Sequence, residues 1–447
     1  MSLPRVKKNN GYADVLYVHP YTGMLDYSII PTGAIALMNR INHDKKGMFS
    51  FEVKERDLKG AKIIALDLHW FYSLYHVSKL CSEYKRINPL AKIILGGYTA
   101  TVLADVVIKK MACDYIIKGD ADYSFPRLVD GLLNGNSIKE IPNLVSKEFA
   151  TPFSYSLTAD EFNSCDYLNV DWFLSLIAIR RRYPLFGSFV FIQALKGCFN
   201  QCNNCYGNDR LQGSISNRGL IVRNAKCLVD EMIAYSQDKS IEDVFMTSDF
   251  INIYNDAEFE IIFSHYYDFI LHYQFFNYYD RKEIYSRLSK SFRKVRINLP
   301  VYYYQGCLKK NIPLPRLQNF LETLALFDNI NVTLLIDKEL NNNELFCLRK
   351  TIRNLPNVYF RYDNNIIIDV PMPKDNFIEL ENEYNRYFRI SRKKYFSFFN
   401  NLLSFAFFRI IKKSKTFFLT LLHIYYRLQK NMIFSEFTGK VYLWLDR

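Results

Sequence analysis

The chain is poor in cysteine: nine residues in 447. Most of them are dispersed, which excludes a disulfide-stapled secreted module and points to a reducing compartment, with the dispersed ones filling the core. No stretch of 18 clean apolar residues occurs, which argues against a membrane-spanning helix. The opening run Met1-Ser-Leu-Pro-Arg-Val-Lys-Lys8 has no apolar segment, so no secretory signal is expected and the expected location is cytoplasmic. No segment repeats at a fixed period. Charge is out of balance, with 58 Lys and Arg against 45 Asp and Glu. A net +13 could serve nucleic acid, a membrane surface or an acidic partner. The excess is local, however: residues 391–447 hold eleven basic and two acidic side chains. No recognisable nucleic-acid motif accompanies it, so no nucleic-acid partner is expected.

What is present supports a large folded protein. Hydrophobic residues make up 49% of the chain, enough for a sizeable core, and the length allows two or three domains. The first part alternates strand and helix patterns. Strands are predicted at 13–18, 61–66, 92–95 and 115–118, and helices at 32–41, 75–86, 101–110 and 125–133. This predicts an open parallel α/β sheet, whose ligands bind outside the carboxyl ends of the strands. A second alternating region follows, with strands at 188–193, 243–246, 273–276, 295–298, 332–336 and 358–361 and helices such as 223–235, 314–326 and 343–353. About six βα repeats are enough for a partial barrel. The predicted domains are 1–134, a connector at 135–186, a barrel at 187–370 and a basic aromatic helical region at 371–447.

One cysteine group is not dispersed. Cys198, Cys202 and Cys205 stand in Gly197-Cys-Phe-Asn-Gln-Cys-Asn-Asn-Cys-Tyr206, in a Gly- and Asn-rich loop after the strand at 188–193. Three thiolates suit one iron–sulfur cube with one iron lacking a protein ligand, because an ordinary four-iron cluster takes four cysteines. An open coordination position implies chemistry at the metal. Zinc is the competing reading, but it usually wants four ligands. No second Cys pair is present, and the nearest histidines are His76 and His265.

With this loop the chain resembles radical S-adenosylmethionine (SAM) enzymes that carry an N-terminal cobalamin-binding-like domain. A second stretch supports the resemblance: Leu66-Asp-Leu-His-Trp70, Leu95-Gly-Gly-Tyr-Thr-Ala100 and Asp114-Tyr-Ile-Ile-Lys-Gly-Asp120. The resemblance implies a Rossmann-like sheet followed by a partial (β/α)6 barrel. It implies that Cys198, Cys202 and Cys205 hold a [4Fe–4S] cluster and that SAM chelates the open iron. Reductive cleavage of SAM then yields a 5′-deoxyadenosyl radical. In cobalamin-using members, methylcobalamin delivers a methyl group to an unactivated carbon. A C-methyltransferase is therefore the leading function. The alternatives are a cobalamin-independent rearrangement or oxidation, and a cluster-bearing binding protein without SAM turnover. The implied partners are a small-molecule or peptide substrate and an electron donor such as flavodoxin or ferredoxin.

The chain departs from the family pattern in several places. Asn204 stands where an aromatic residue usually precedes the third cysteine, and Tyr206 follows it. No Gly-Gly-Glu follows the second barrel strand; Met246-Thr-Ser-Asp-Phe250 stands there, and Asp249 is a candidate for SAM or substrate contact. Its ordinary alternative is a helix N-cap or a surface acid. Asp-x-His-x-x-Gly, which supplies a histidine to cobalt, is absent. His19 and His69 lie near strand ends, where packing and hydrogen bonding are the usual roles. Gly96, Gly97 and Gly119 would allow close approach of a corrinoid, or simply form tight turns. Near the C-terminus, 395–411 reads as an aromatic helix with Lys412, Lys413 and Lys415 beyond it. It suits either peripheral contact with an anionic membrane or packing on the protein.

Overall fold

The computed structural model describes residues 13–20, 31–173, 176, 189–197, 213, 216, 219–246, 250–274, 282–300, 314–336, 346, 350, 352, 353, 355–362, 374 and 376–401. The chain divides into two compact units, each taken by itself below.

The first unit is built on strands β1 (Val15–His19), β2 (Lys45–Phe49), β3 (Ile63–Asp67), β4 (Lys92–Gly96), β5 (Tyr115–Ile117) and β6 (Leu144–Ser146). Their order is β2-β1-β3-β4-β5-β6; β6 alone runs antiparallel. Strands β1, β3 and β4 are nearly continuous apolar runs, as strands covered on both faces must be. Helices α1 (Thr32–Asn39), α2 (Glu55–Gly60), α3 (Leu74–Ile87), α4 (Tyr98–Val102), α5 (Ala104–Lys110) and α6 (Ser124–Asn134) connect them. On α3 the buried residues Leu74, Val77, Leu80, Cys81 and Tyr84 recur at helical spacing. Gly135, at φ 72°, ends α6 in the left-handed conformation that favours glycine.

Two strands of this sheet fall outside the sequence prediction. Strand β2 reads Lys-Lys-Gly-Met-Phe, a poor apolar pattern that suits an edge. Gly47 is needed there, because a Cβ would lie 2.6 Å from the Trp172 ring and 2.7 Å from Phe173. Strand β6 lies within the predicted connector. The helix predicted at 101–110 is divided between α4 and α5 around Leu103.

A long helix, Phe377–Asn401, also belongs to the first unit. Leu380, Tyr384, Tyr387 and Ser391 form its buried stripe. Tyr387 packs against Phe71 at 4.8 Å between ring centroids. Ser391 Oγ accepts from the Tyr75 amide at 3.1 Å, and Lys110 pairs with Glu381 at 2.7 Å. The start of the basic region is thus a packed part of a globular unit. The residues from 402 onward, including Lys412, Lys413 and Lys415, lie outside the described residues. Among the described residues no helix is long and apolar enough to cross a membrane.

The second unit has strands β7 (Phe189–Ile192), β8 (Leu195–Lys196), β9 (Ile221–Val222), β10 (Asp243–Met246), β11 (Tyr267–Gln274), β12 (Phe292–Pro300), β13 (Ile330–Ile336) and β14 (Val358–Tyr362). Six of them form one parallel sheet in the order β14-β13-β12-β11-β10-β7. Each strand pairs with the next in chain order, the arrangement of an incomplete barrel. Strand β11 starts six residues before the predicted 273–276, since His272 and Asp268 obscure an alternating run of Tyr267, Phe269, Leu271 and Tyr273. Those four pack with Val244, Val295, Ile297 and Val332 against Leu228, Met232, Leu288 and Leu321 of the covering helices. The helix predicted at 343–353 falls largely outside the described residues.

Candidate cofactor sites

In the first sheet the chain moves outward from β1 to β2 on one side and from β1 to β3 on the other. The carboxyl ends of β1 and β3 therefore flank a topological switch point, the position at which open α/β sheets bind their ligands. His19 is the last residue of β1, and Asp67 is the last residue of β3. His19 Nδ1 lies 3.4 Å from Asp67 Oδ2, and the Tyr17 hydroxyl donates to the same oxygen at 3.3 Å. The Tyr17 oxygen is 3.1 Å from His19 Nδ1. Asp67 Oδ1 accepts from the His69 amide at 3.2 Å.

The electrostatics follow from this packing. Burial raises the Asp67 carboxyl, but the hydrogen bond from His19, the fields of His19 and His69 and the His69 amide outweigh it, and the net shift is downward. Burial, then the Asp67 carboxylate, hold the Tyr17 phenol well above its usual range, so it remains a proton donor. Burial lowers the His69 imidazole, with Asp67 opposing in part.

The glycines divide by role. Gly97 has φ 103°, and a Cβ there would lie 2.8 Å from the His69 nitrogen and 2.9 Å from its Cα. Gly97 thus lets β4 pass the backbone of residues 68 and 69. Thr99 and Thr101 complete that crossing. Thr99 Oγ1 donates to the His69 carbonyl at 2.8 Å, and Thr101 Oγ1 accepts from the Gly119 amide at 2.9 Å. A Cβ at Gly96 would meet nothing within 4 Å. Gly119 has φ 67° and follows the end of β5.

In the second unit, Cys198, Cys202, Cys205 and Asp249 lie outside the described residues, and the structure bears on their flanks. Strand β7 leads into β8, and β8 pairs antiparallel with β9 through Leu195 with Val222 and Lys196 with Ile221. This ladder closes the base of the cysteine-bearing segment. Gly197, one residue before Cys198, has φ 89°. The ladder is anchored from below. The Arg223 amide donates to the Ala194 carbonyl at 2.8 Å, and Tyr254 donates to the Arg223 carbonyl at 2.8 Å. The Arg223 guanidinium is ion-paired with Glu231, and both are buried. Phe250, next to Asp249, is buried against Tyr273 at 5.0 Å between ring centroids.

The face of the barrel sheet opposite the helix layer carries a group that sequence patterns did not single out. Asp243, on β10, lies 2.7 Å from His272 Nε2 on β11 and 3.5 Å from the Arg296 guanidinium on β12. Phe245 stacks on His272 at 4.1 Å. The usable signal was polar residues at alternate positions of otherwise apolar strands. Among the described residues, no group of three or more His, Cys, Asp or Glu side chains is arranged to hold a metal ion. The cysteines 81, 113 and 165 are buried. Burial pushes the Cys113 thiol up to about 12 and Cys81 well above its usual value, as expected of inert core thiols.

No protein-family model matches the chain, and no curated protein does. Solved structures do. The radical SAM methyltransferase TsrM of Kitasatospora setae, with tryptophan substrate and a SAM analogue bound, superposes with a TM-score of 0.53 at 12% identity, covering 78% of this chain and 72% of that one. The same enzyme with cobalamin and a [4Fe–4S] cluster gives 0.53, with 81% and 77% covered. The cobalamin-dependent SAM radical enzyme OxsB, with aqua-cobalamin and SAM bound, gives 0.55 at 12% identity. It covers 85% of this chain, which spans 56% of OxsB. The chain has the fold of a cobalamin-dependent radical SAM enzyme. At this identity the likeness concerns architecture, and the chemistry rests on the residues.

Proposed function

We propose that this protein is a radical SAM enzyme that binds one [4Fe–4S] cluster and a corrinoid and transfers methyl groups to carbon. One observation carries the reading. The chain's single close group of cysteines follows the first strand of a barrel sheet shared with TsrM and OxsB. When bound, the cluster, SAM and the corrinoid supply radical and methyl-transfer chemistry. The chain's own residues bind and orient. Cys198, Cys202 and Cys205 ligate the cluster, and the β8–β9 ladder with the Arg223–Glu231 pair holds the base of their loop. Asp249, after β10, contacts SAM or substrate. The carboxyl edge of the first sheet receives the corrinoid, with Gly96 and Gly119 permitting close approach and Gly97 fixing the crossing beside them. The open space at Gly96 suits a large flat ligand at that edge. A small electron-transfer protein such as flavodoxin or ferredoxin reduces the cluster.

The test is anaerobic reconstitution with iron, sulfide and hydroxocobalamin, followed by incubation with methyl-labelled SAM and a reductant. Label in the corrinoid, or 5′-deoxyadenosine formed by protein that retains the corrinoid, supports the reading. An intact cluster with neither product overturns the enzyme reading. 5′-Deoxyadenosine without a retained corrinoid would instead leave a cobalamin-independent radical enzyme.

A further inference from the structure

The long helix Phe377–Asn401 sorts its charges along and around its axis. Glu379, Glu381 and Glu383 lie in its first two turns. From Tyr384 to Ser435 the chain has no acidic residue and eleven basic ones. Arg386, Arg389, Arg392 and Lys393, in the middle of the helix, are all exposed. At about 3.6 residues per turn they lie opposite the buried stripe of Leu380, Tyr384, Tyr387 and Ser391. A helix face that only meets water usually interleaves acids and bases, because like charges three or four residues apart repel. Here Arg389 has Arg386 three residues before it, and Arg392 and Lys393 three and four residues after it. The helix dipole does not account for the cluster. Its effect is confined to the last turn, and Lys393 stands eight residues before Asn401.

Tertiary packing adds to this crowding. Lys79 Nζ, from α3, lies 6.0 Å from the centroid of the Tyr75 ring, and the Arg392 guanidinium lies 6.0 Å from the same centroid. The fold thus brings basic side chains of two helices together on one ring. Lys79 is exposed as well, and Glu83 is the one acid of α3 against Lys79, Lys85 and Arg86. We propose that this face, formed by the long helix and α3, docks on the anionic surface of a lipid membrane. The inference is independent of the reaction proposed above. The contact is peripheral, since the buried stripe packs the helix on its own unit and only the outer face is presented. Phosphate headgroups offer the spread negative charge that a row of cations matches, and each basic residue near them strengthens binding by roughly fivefold. Binding at an interface also scales with apolar area. The sequence that follows supplies it: twelve of the 41 residues from Tyr395 to Ser435 are aromatic, against 16% of the whole chain. Aromatic side chains beside cations match the membrane–water boundary. RNA or an acidic protein would call for the cations alone.

The experiment is co-sedimentation of the full chain with vesicles, one set of three parts phosphatidylcholine to one part phosphatidylglycerol and one of phosphatidylcholine alone. The protein should bind the anionic vesicles roughly 10-fold or more tighter than the neutral ones and leave them as salt is raised. A variant with Arg386→Gln, Arg389→Gln, Arg392→Gln and Lys393→Gln should bind them roughly 100-fold more weakly. Replacing the three arginines by Lys should keep binding within about twofold, because the charge is retained. Lys59→Gln, Lys62→Gln and Lys92→Gln together, at exposed positions elsewhere in the same unit, should also change it by no more than about twofold. The lipid and salt dependence of the wild type decide the matter even if a variant folds poorly. No binding to anionic vesicles overturns the inference, and so does equal binding to neutral ones. Binding that the four Gln substitutions leave unchanged overturns the assignment to this face. An equal loss in the Lys59, Lys62 and Lys92 variant does the same, leaving only net charge. Retention of single-stranded RNA or of a flavodoxin through the same four residues, without vesicle binding, overturns it in favour of that partner.

Discussion

The two sheets of this protein use the same βα unit and differ in how the chain moves across it. In the first sheet the order reverses at β1, which pairs with β2 on one side and β3 on the other. In the second, six strands follow in chain order, so no reversal occurs. The first arrangement gathers Tyr17, His19 and Asp67 at an edge. The second sets Asp243, His272 and Arg296 side by side across three neighbouring strands. Strand order, more than composition, decides whether such units make an edge site or an enclosed one.

The sharpest way to separate the two units is to remove one ligand. Cys202→Ala is expected to abolish the iron–sulfur absorbance entirely while corrinoid retention persists; unchanged iron content would refute the ligand assignment. Next in size is Glu231→Ala, which leaves the buried Arg223 charge without its carboxylate. Such losses cost about 3–5 kcal/mol, and hydrogen exchange should report it across β8–β12 with β3 and β4 little changed. Within the first sheet, Gly97→Ala should destabilise by about 1–3 kcal/mol through its positive φ and the backbone of His69. Gly96→Ala, one residue away, should stay within about 0.5 kcal/mol, because its Cβ meets open space. Equal effects from the two glycine variants would remove the distinction drawn between them.

Acid should act on the first unit through His76. Its Nε2 lies 3.2 Å from Ser50 Oγ, and burial, then Lys79, lower its pKa from 6.5 to about 4. Above pH 6.5 folded and unfolded forms are both neutral, and this group adds no pH dependence. As pH falls from 6.5 to about 4 the unfolded chain binds a proton that the folded one refuses. Stability from this group then declines by at most about 1.4 kcal/mol per pH unit. Urea midpoints of His76→Gln should fall less steeply over that window than those of the wild type. Parallel slopes would show that His76 titrates normally.

Much of the architecture was legible because parallel strands covered on both faces must be apolar throughout. Residues 61–66, 92–95 and 243–246 announce themselves for that reason. Edge strands need no such runs, so β2 with two lysines and β6 with three residues stayed hidden. Strand β11 was masked by His272, whose polarity made sense only once Asp243 and Arg296 stood beside it. For the sites the division is similar. The cysteine spacing is a local property of the chain and carries its chemistry unaided. The roles of His19 and Gly97 are not local, since each depends on a residue some 30–50 positions away.

By itself the sequence determined two alternating α/β regions, a three-cysteine loop between a strand and a helix, and a concentration of positive charge toward its end. These are short-range facts, set by periodicity and spacing. Tertiary structure alone decided that His19 meets Asp67 across two strands. It also decided that Gly97 must lack a side chain and that the helix Phe377–Asn401 returns to pack on a unit built from the first part of the chain. The physical reason is the same throughout. Hydrogen bonds and close packing act over a few ångströms of space, and only the folded chain says which distant residues share them.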